Sequence, residues 1–170
     1  MPAATTQAAR AFIDACSLEV SAKAMPALRA EAGRIAPGTT ISIPYLASED
    51  DEARLAAART VRELGLQPMP HLSARRIGSL AALERFIARA AGEAGVEQCL
   101  LVAGDLATPA GPFADTASLI ETGLLERAGI KVVAVGGHPE GHPVMGADER
   151  WQVLERTCQA MQARGMAPKI

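Results

Sequence analysis

Cysteine is scarce in this chain. There are three, Cys16, Cys99 and Cys158, and no two are spaced as CxxC. An odd count without paired spacing argues against a disulfide framework and a structural zinc site. The thiols are expected to be buried and to pack as small hydrophobes. A surplus of charge is missing too: 17 Lys and Arg stand against 19 Asp and Glu, for a net −2. Without a basic patch, nucleic acid is not the expected partner. No apolar run reaches the roughly 18–20 residues that span a bilayer. The start, "MPAATTQAARAF", has no basic stretch followed by an apolar one, so no signal peptide is expected. The expected setting is cytoplasmic, with no membrane partner. Neither GxGxxG nor GxxxxGK[ST] occurs, which removes the usual signatures of a nucleotide-binding doubly wound sheet.

What is present is an alternation. The chain has 170 residues, 49% of them hydrophobic, which suits one core and one domain spanning 1–170. Short β-rich runs lie at 17–21 (SLEVS), 39–43 (TTISI), 66–72 (LQPMPHL), 97–103 (EQCLLVA) and 130–135 (IKVVAV). Helical patterns follow them. Ser48, Ser79, Asp115 and the pair Ala147-Asp148 are the expected helix starts. "SEDDE" at 48–52 reads as a solvated helix start, with its acids where the helix dipole favours them. Gly65, Gly95, Gly129 and Gly165 each close a helical pattern, 30, 34 and 36 residues apart. Glycine suits the left-handed position after a helix, and the period is that of one βα unit. Residues 1–15 read as a further helix. Trp151, the one tryptophan, is expected to pack.

Nearly continuous apolar strands separated by helices predict a parallel sheet. The polar residues cluster where those strands end. That is the pattern of a (β/α) barrel, whose function sits at the carboxy ends of its strands. The predicted fold is therefore a parallel (β/α) barrel of TIM type. It is partial, because a full barrel takes about 250 residues. Five βα units and the start of a sixth strand, "APKI", are present. An open edge of this kind is expected to be closed by a longer natural chain, by a second copy or by another chain, unless the sheet is open.

Four strand ends carry candidate chemistry. Glu19 stands between Leu18 and Val20, so it faces opposite to them. There a desolvated carboxyl would serve as a general acid; a polar residue covered by a helix or salt-bridged is the plainer alternative. Asp105 follows Gly104 at the end of "LVAGD", as a site residue or a turn aspartate. His71 leaves the strand in "PMPHLS", as a site residue or a structural one. The stretch "VGGHPEGHP" holds His138, Glu140 and His142. Histidines at i and i+4 suggest zinc, but the motif needs a helix. Pro139, Gly141 and Pro143 forbid one. A rigid loop presenting donors to a ligand is the better account, with a purely structural loop as the plainer alternative, and no metal is expected.

With these sites in order, the chain resembles the methylenetetrahydrofolate reductase family from about Ser17 to its last residue. "VGGHPEGHP" resembles that family's A-x-x-P-E-x-H-P, "PHLS" its P-H-L-T, "LVAGD" its R-G-D, and "SLEVS" its S-F-E-F. The resemblance implies a (β/α)₈ barrel that carries FAD, takes electrons from NADH or NADPH, and reduces 5,10-methylenetetrahydrofolate to 5-methyltetrahydrofolate. This reaction belongs to one-carbon metabolism and methionine biosynthesis. By motif, Glu19 would be the general acid that opens the folate ring. Asp105 would sit beside flavin and pterin and act through its charge. His71, Gly104, Asp105, Gly136, His138, Glu140 and His142 match the positions of the FAD site. The chain also departs from the pattern. The arginine of R-G-D is Ala103, the T-Y-G of strand two is "PYL" with Pro44, and "VSAKAMP" replaces F-P-P after the glutamate. Two other readings remain open. One is a flavin-binding half-barrel without activity, completed by a partner chain. The other is a metal-dependent barrel hydrolase using His71, His138 and His142.

Overall fold

The computed structural model describes residues 16–167. The helix read in residues 1–15 and the last three residues of "APKI" lie outside them. Five strands form one sheet: β1 (Ser17–Glu19), β2 (Thr40–Ile43), β3 (Gln67–Ser73), β4 (Gln98–Val102) and β5 (Val132–Val135). All neighbours are parallel, and the order across the sheet is the order along the chain. Each strand falls within two residues of a run read from the sequence.

Helices fill the crossovers: α1 (Met25–Glu31), α2 (Asp51–Glu63), α3 (Leu80–Ala94), α4 (Thr116–Glu121) and α5 (Leu124–Arg127), with α6 (Ala147–Ala163) after β5. Two predicted caps operate. Ser79 Oγ accepts from the Ala82 amide at 3.1 Å, and Asp115 Oδ1 from the Ser118 amide at 3.0 Å. The third is displaced. Asp50, not Ser48, is the last extended residue before α2, and its Oδ1 takes the Ala53 amide at 2.8 Å. Ser48 instead accepts from Lys23 Nζ at 3.0 Å. The segment read as one helix after Asp115 is two, because Gly123 adopts φ +65° and breaks the ladder between α4 and α5. The repeated glycines 65, 95, 129 and 165 all have positive φ, as a left-handed stop requires.

One face of the sheet builds the core. Ile41, Ile43, Leu72, Leu101, Val133 and Val135 pack with helix residues such as Leu55, Phe86, Ile87, Leu119 and Met161. A sheet in chain order with right-handed crossovers carries its helices on one side, and this clustering agrees. The alternate residues behave differently. Thr40, Gln67, Met69, Gln98, Leu100, Val102, Val132 and Ala134 stay half-buried, and on the same face only Ser42, His71 and Ser73, toward the carboxy end, are buried. Polar side chains meet on that face across an intervening strand. Gln98 Nε2 on β4 donates to Thr40 Oγ1 on β2 at 3.1 Å.

Three expectations are corrected. Trp151 is 70% exposed, because it lies on the solvent side of α6 while Val153, Leu154, Thr157 and Met161 face inward. Of the cysteines only Cys99 is buried; Cys16 is exposed and Cys158 is intermediate. Glu49, within the "SEDDE" start, is buried and accepts the Lys23 amide at 3.1 Å. Among the described residues, no helix is long and apolar enough to cross a membrane.

Leu101 is fully buried where β4 meets the helices. Leu101→Ala is expected to lower unfolding free energy by about 2–5 kcal/mol in urea titrations. Trp151→Ala should change it by less than about 0.5 kcal/mol.

Candidate functional site

Parallel strands in chain order point all their carboxy ends the same way, so the loops after β2, β3, β4 and β5 lie side by side. An open hollow of about 430 Å³ sits over them. Its wall takes Tyr45 from the loop after β2. His71, Ser73 and Arg76 come from the end of β3 and the turn beyond it. Gly104 and Asp105 follow β4; His138 and His142 follow β5. Five residues singled out in the sequence thus share one cavity: His71, Gly104, Asp105, His138 and His142. Glu19 stands beside it, with Oε2 3.6 Å from His71 Nε2. Gly136 lies beneath: a Cβ there would meet Val102 Cγ1 at 3.3 Å and His138 Nε2 at 3.7 Å. Glu140 is exposed and does not line the hollow.

His71 is buried on the face of β3 turned away from the helices. Its Nε2 shares a 2.6 Å hydrogen bond with Ser42 Oγ. Burial, helped by the Arg54 guanidinium, pushes its pKa down to about 4. The ring is therefore neutral near pH 7, and its approach to Glu19 is not an ion pair. Glu19 itself has a side chain 61% exposed. The desolvation that a general acid draws on is not supplied by the described residues around it.

Asp105 is not a free carboxylate. Arg76 holds it with two hydrogen bonds, Nε to Oδ1 at 2.6 Å and Nη2 to Oδ2 at 2.8 Å. These bonds keep its carboxyl below the usual range. Gly104 lets this loop pack close against the end of β3. It adopts φ +88°, and a Cβ there would lie 2.5 Å from Ser73 Oγ. Arg75 pins the same loop, donating to the carbonyls of Leu106 at 2.7 Å, Ala107 at 2.8 Å and Ala114 at 3.1 Å.

His138 has φ +50°, the one positive value outside glycine among the described residues. A residue held there marks strain, which concentrates at functional sites. Its ring meets that of His142 edge-on, with centroids 4.9 Å apart. Burial, above all, holds both imidazoles below the usual histidine range. His138 Nε2 is buried and has no hydrogen-bond partner among the described residues. No group of three or more His, Cys, Asp or Glu among the described residues could hold a metal ion.

Sequence reading missed Arg76, Tyr45 and Arg54. The signal for Arg76 was there: "ARR" directly follows the strand-three exit. Arg54 carried none, because its role depends on burial. It is 2% exposed on α2, with its guanidinium 4.7 Å from the Tyr45 ring centre and 4.4 Å from that of Phe86.

Fold and site together define the class: a parallel α/β protein with a ligand-sized hollow at the carboxy ends of its strands. No protein-family model matches the chain. The likeness to the methylenetetrahydrofolate reductases therefore stands on its motifs.

A histidine with a lowered folded pKa favours the fold while it stays neutral. Its stabilising effect is complete above about pH 6.5 and is lost as pH falls toward about 4. The shift corresponds to roughly 3 kcal/mol. His71→Gln is expected to flatten the decline of stability between those pH values. Unfolding titrations of both proteins across the window, compared as a difference, check this.

Proposed function

We propose that this chain binds a flavin in the wide hollow and serves the reduction of 5,10-methylenetetrahydrofolate to 5-methyltetrahydrofolate. Its sheet is read as the first part of a (β/α) barrel. Chain-order strands support that reading. So does the meeting of side chains from alternate strands, β1 with β3 and β2 with β4, as in the layers of a barrel interior. The observation that carries the function is the convergence of His71, Gly104, Asp105, His138 and His142 on one cavity.

The residues present suit a planar heterocycle with polar edges. Gly104 lines the hollow without a side chain, and Gly136 lets His138 pack close over Val102. His138 offers a buried ring nitrogen without a partner. Neutral imidazoles donate or accept according to tautomer, which suits the mixed edge of an isoalloxazine. When bound, FAD would supply hydride transfer between NADH or NADPH and the folate. His71, His138 and His142 would hold and orient the ring. Asp105 with Arg76 would give a charge-balanced wall. Glu19 would carry the proton for folate ring opening once substrate shields its carboxyl from water.

A second reading is flavin binding without turnover, in a half-barrel that needs a partner chain or a second copy. The exposure of Glu19 and the neutralisation of Asp105 favour it.

Adding FAD to the purified protein tests both. The expected outcome is a perturbed flavin absorbance band and micromolar or tighter binding. His138→Ala should weaken it at least tenfold, while Glu140→Gln leaves it unchanged. Oxidation of the reduced bound flavin by methylenetetrahydrofolate separates reductase from binding module. A protein that takes up no FAD ends both readings.

A further inference from the structure

Behind the wide hollow lies a second, smaller cavity of about 80 Å³. The two share Tyr45, Ser73 and Arg76 in their walls. The small one reaches inward to Arg54, between the end of β3 and the first turn of α3. Its volume is enough for several waters, and so for one tetrahedral oxyanion.

Its electrostatics favour an anion. Two guanidiniums face it. Arg54 has a side chain 3% exposed, and its buried Nε has no acceptor among the described residues. Its Nη1 donates to Asp51 Oδ1 at 3.1 Å, and its Nη2 to the His71 carbonyl. Arg76 has a side chain 21% exposed. The carboxylates that pair with them, Asp51 and Asp105, are 55% and 57% exposed. Water screens those negative charges more than the inward cations. Asp51 also lines the cavity, so the field there is a balance.

The third element is α3. Gly78, just before it, and Ala82, in its first turn, line the cavity, while residues 79–81 between them face solvent. That turn contains no acid, whereas α2 and α6 each start with two. The dipole of α3 adds partial positive charge at that end of the cavity. Oxyanions are recognised by this combination of forked guanidinium donors and a helix start.

We propose that the small cavity is a phosphate-recognition site formed by Arg54, Arg76 and the amino-terminal turn of α3. The group recognised is a phosphate, either free or carried by a larger ligand whose body lies in the wide hollow. The site goes beyond the flavin reading and does not depend on it.

Calorimetric titration with inorganic phosphate at constant ionic strength, against a chloride control, tests the site. A submillimolar dissociation constant is expected. Arg76→Gln should weaken it at least tenfold. Ala82→Glu is the stricter variant, because it completes a capping box with Ser79. It should keep or raise the thermal midpoint and yet abolish phosphate binding. Phosphate bound no better than chloride would overturn the proposal, as would both variants binding phosphate like the parent. FMN and riboflavin distinguish the sources. FMN bound at least tenfold more tightly, with free phosphate competing, assigns the site to a ligand-borne phosphate. Equal binding of the two, unaffected by phosphate, assigns it to the free ion. Phosphate binding without any flavin binding keeps this site and removes the flavin reading.

Discussion

A single-faced parallel sheet is the constraint from which everything else follows. Its strands run in chain order, and the apolar side chains of β2 to β5 bury one face against the helices. With that face sealed, every strand must end at the same rim. Loops far apart in sequence, around Tyr45, Arg76, Asp105 and His138, are thereby held against one another. The wide hollow draws on none of the core's large apolar side chains, whereas Leu72, Leu83 and Phe86 of the core line the small cavity behind it. Such a division leaves the rim free to hold strained and polar groups such as His138 and Gly104.

The charges at the rim are arranged to cancel. Arg76 closes on Asp105, Arg54 on Asp51, and Arg75 on three loop carbonyls. The histidines are held neutral by burial. A site built in this way presents hydrogen-bonding edges rather than a strong net field. It suits an extended, mostly uncharged ligand in the wide hollow, with one anionic group in the cavity behind. Arg76 belongs to both walls, so it couples the two spaces. Ala103 occupies the place of the arginine expected in the strand-four motif. The cation nearest Asp105 comes instead from the turn after β3.

Local patterns in the sequence were legible wherever one physical effect decided the outcome. Runs such as "CLLV" and "KVVAV" had no competing reading, and they became β4 and β5. Ser79 and Asp115 cap their helices because a short oxygen-bearing side chain before an apolar pattern has few other uses. Where two effects competed, the reading slipped. The short helix Met25–Glu31 spans barely two turns and buries only Met25 and Leu28, too little to set a period. Trp151 looked like core by its chemistry, but helix phase turned it outward. The candidate site was legible as a list, namely Glu19, His71, Asp105 and the loop histidines. It was not legible as a set of distances.

By itself, then, the sequence determined the alternation of strands and helices and the polar character of the strand ends. Those depend on neighbours a few residues apart, through propensity, capping and the two periodicities. Tertiary structure alone decided which polar groups meet. Residues 29 positions apart, Arg76 and Asp105, form one ion pair. Arg54 becomes a buried cation between two rings, and Glu140 is left in solvent while His138 turns inward. These outcomes depend on strand register and crossover path. Both are set by packing over the whole sheet, and no short window of sequence contains them.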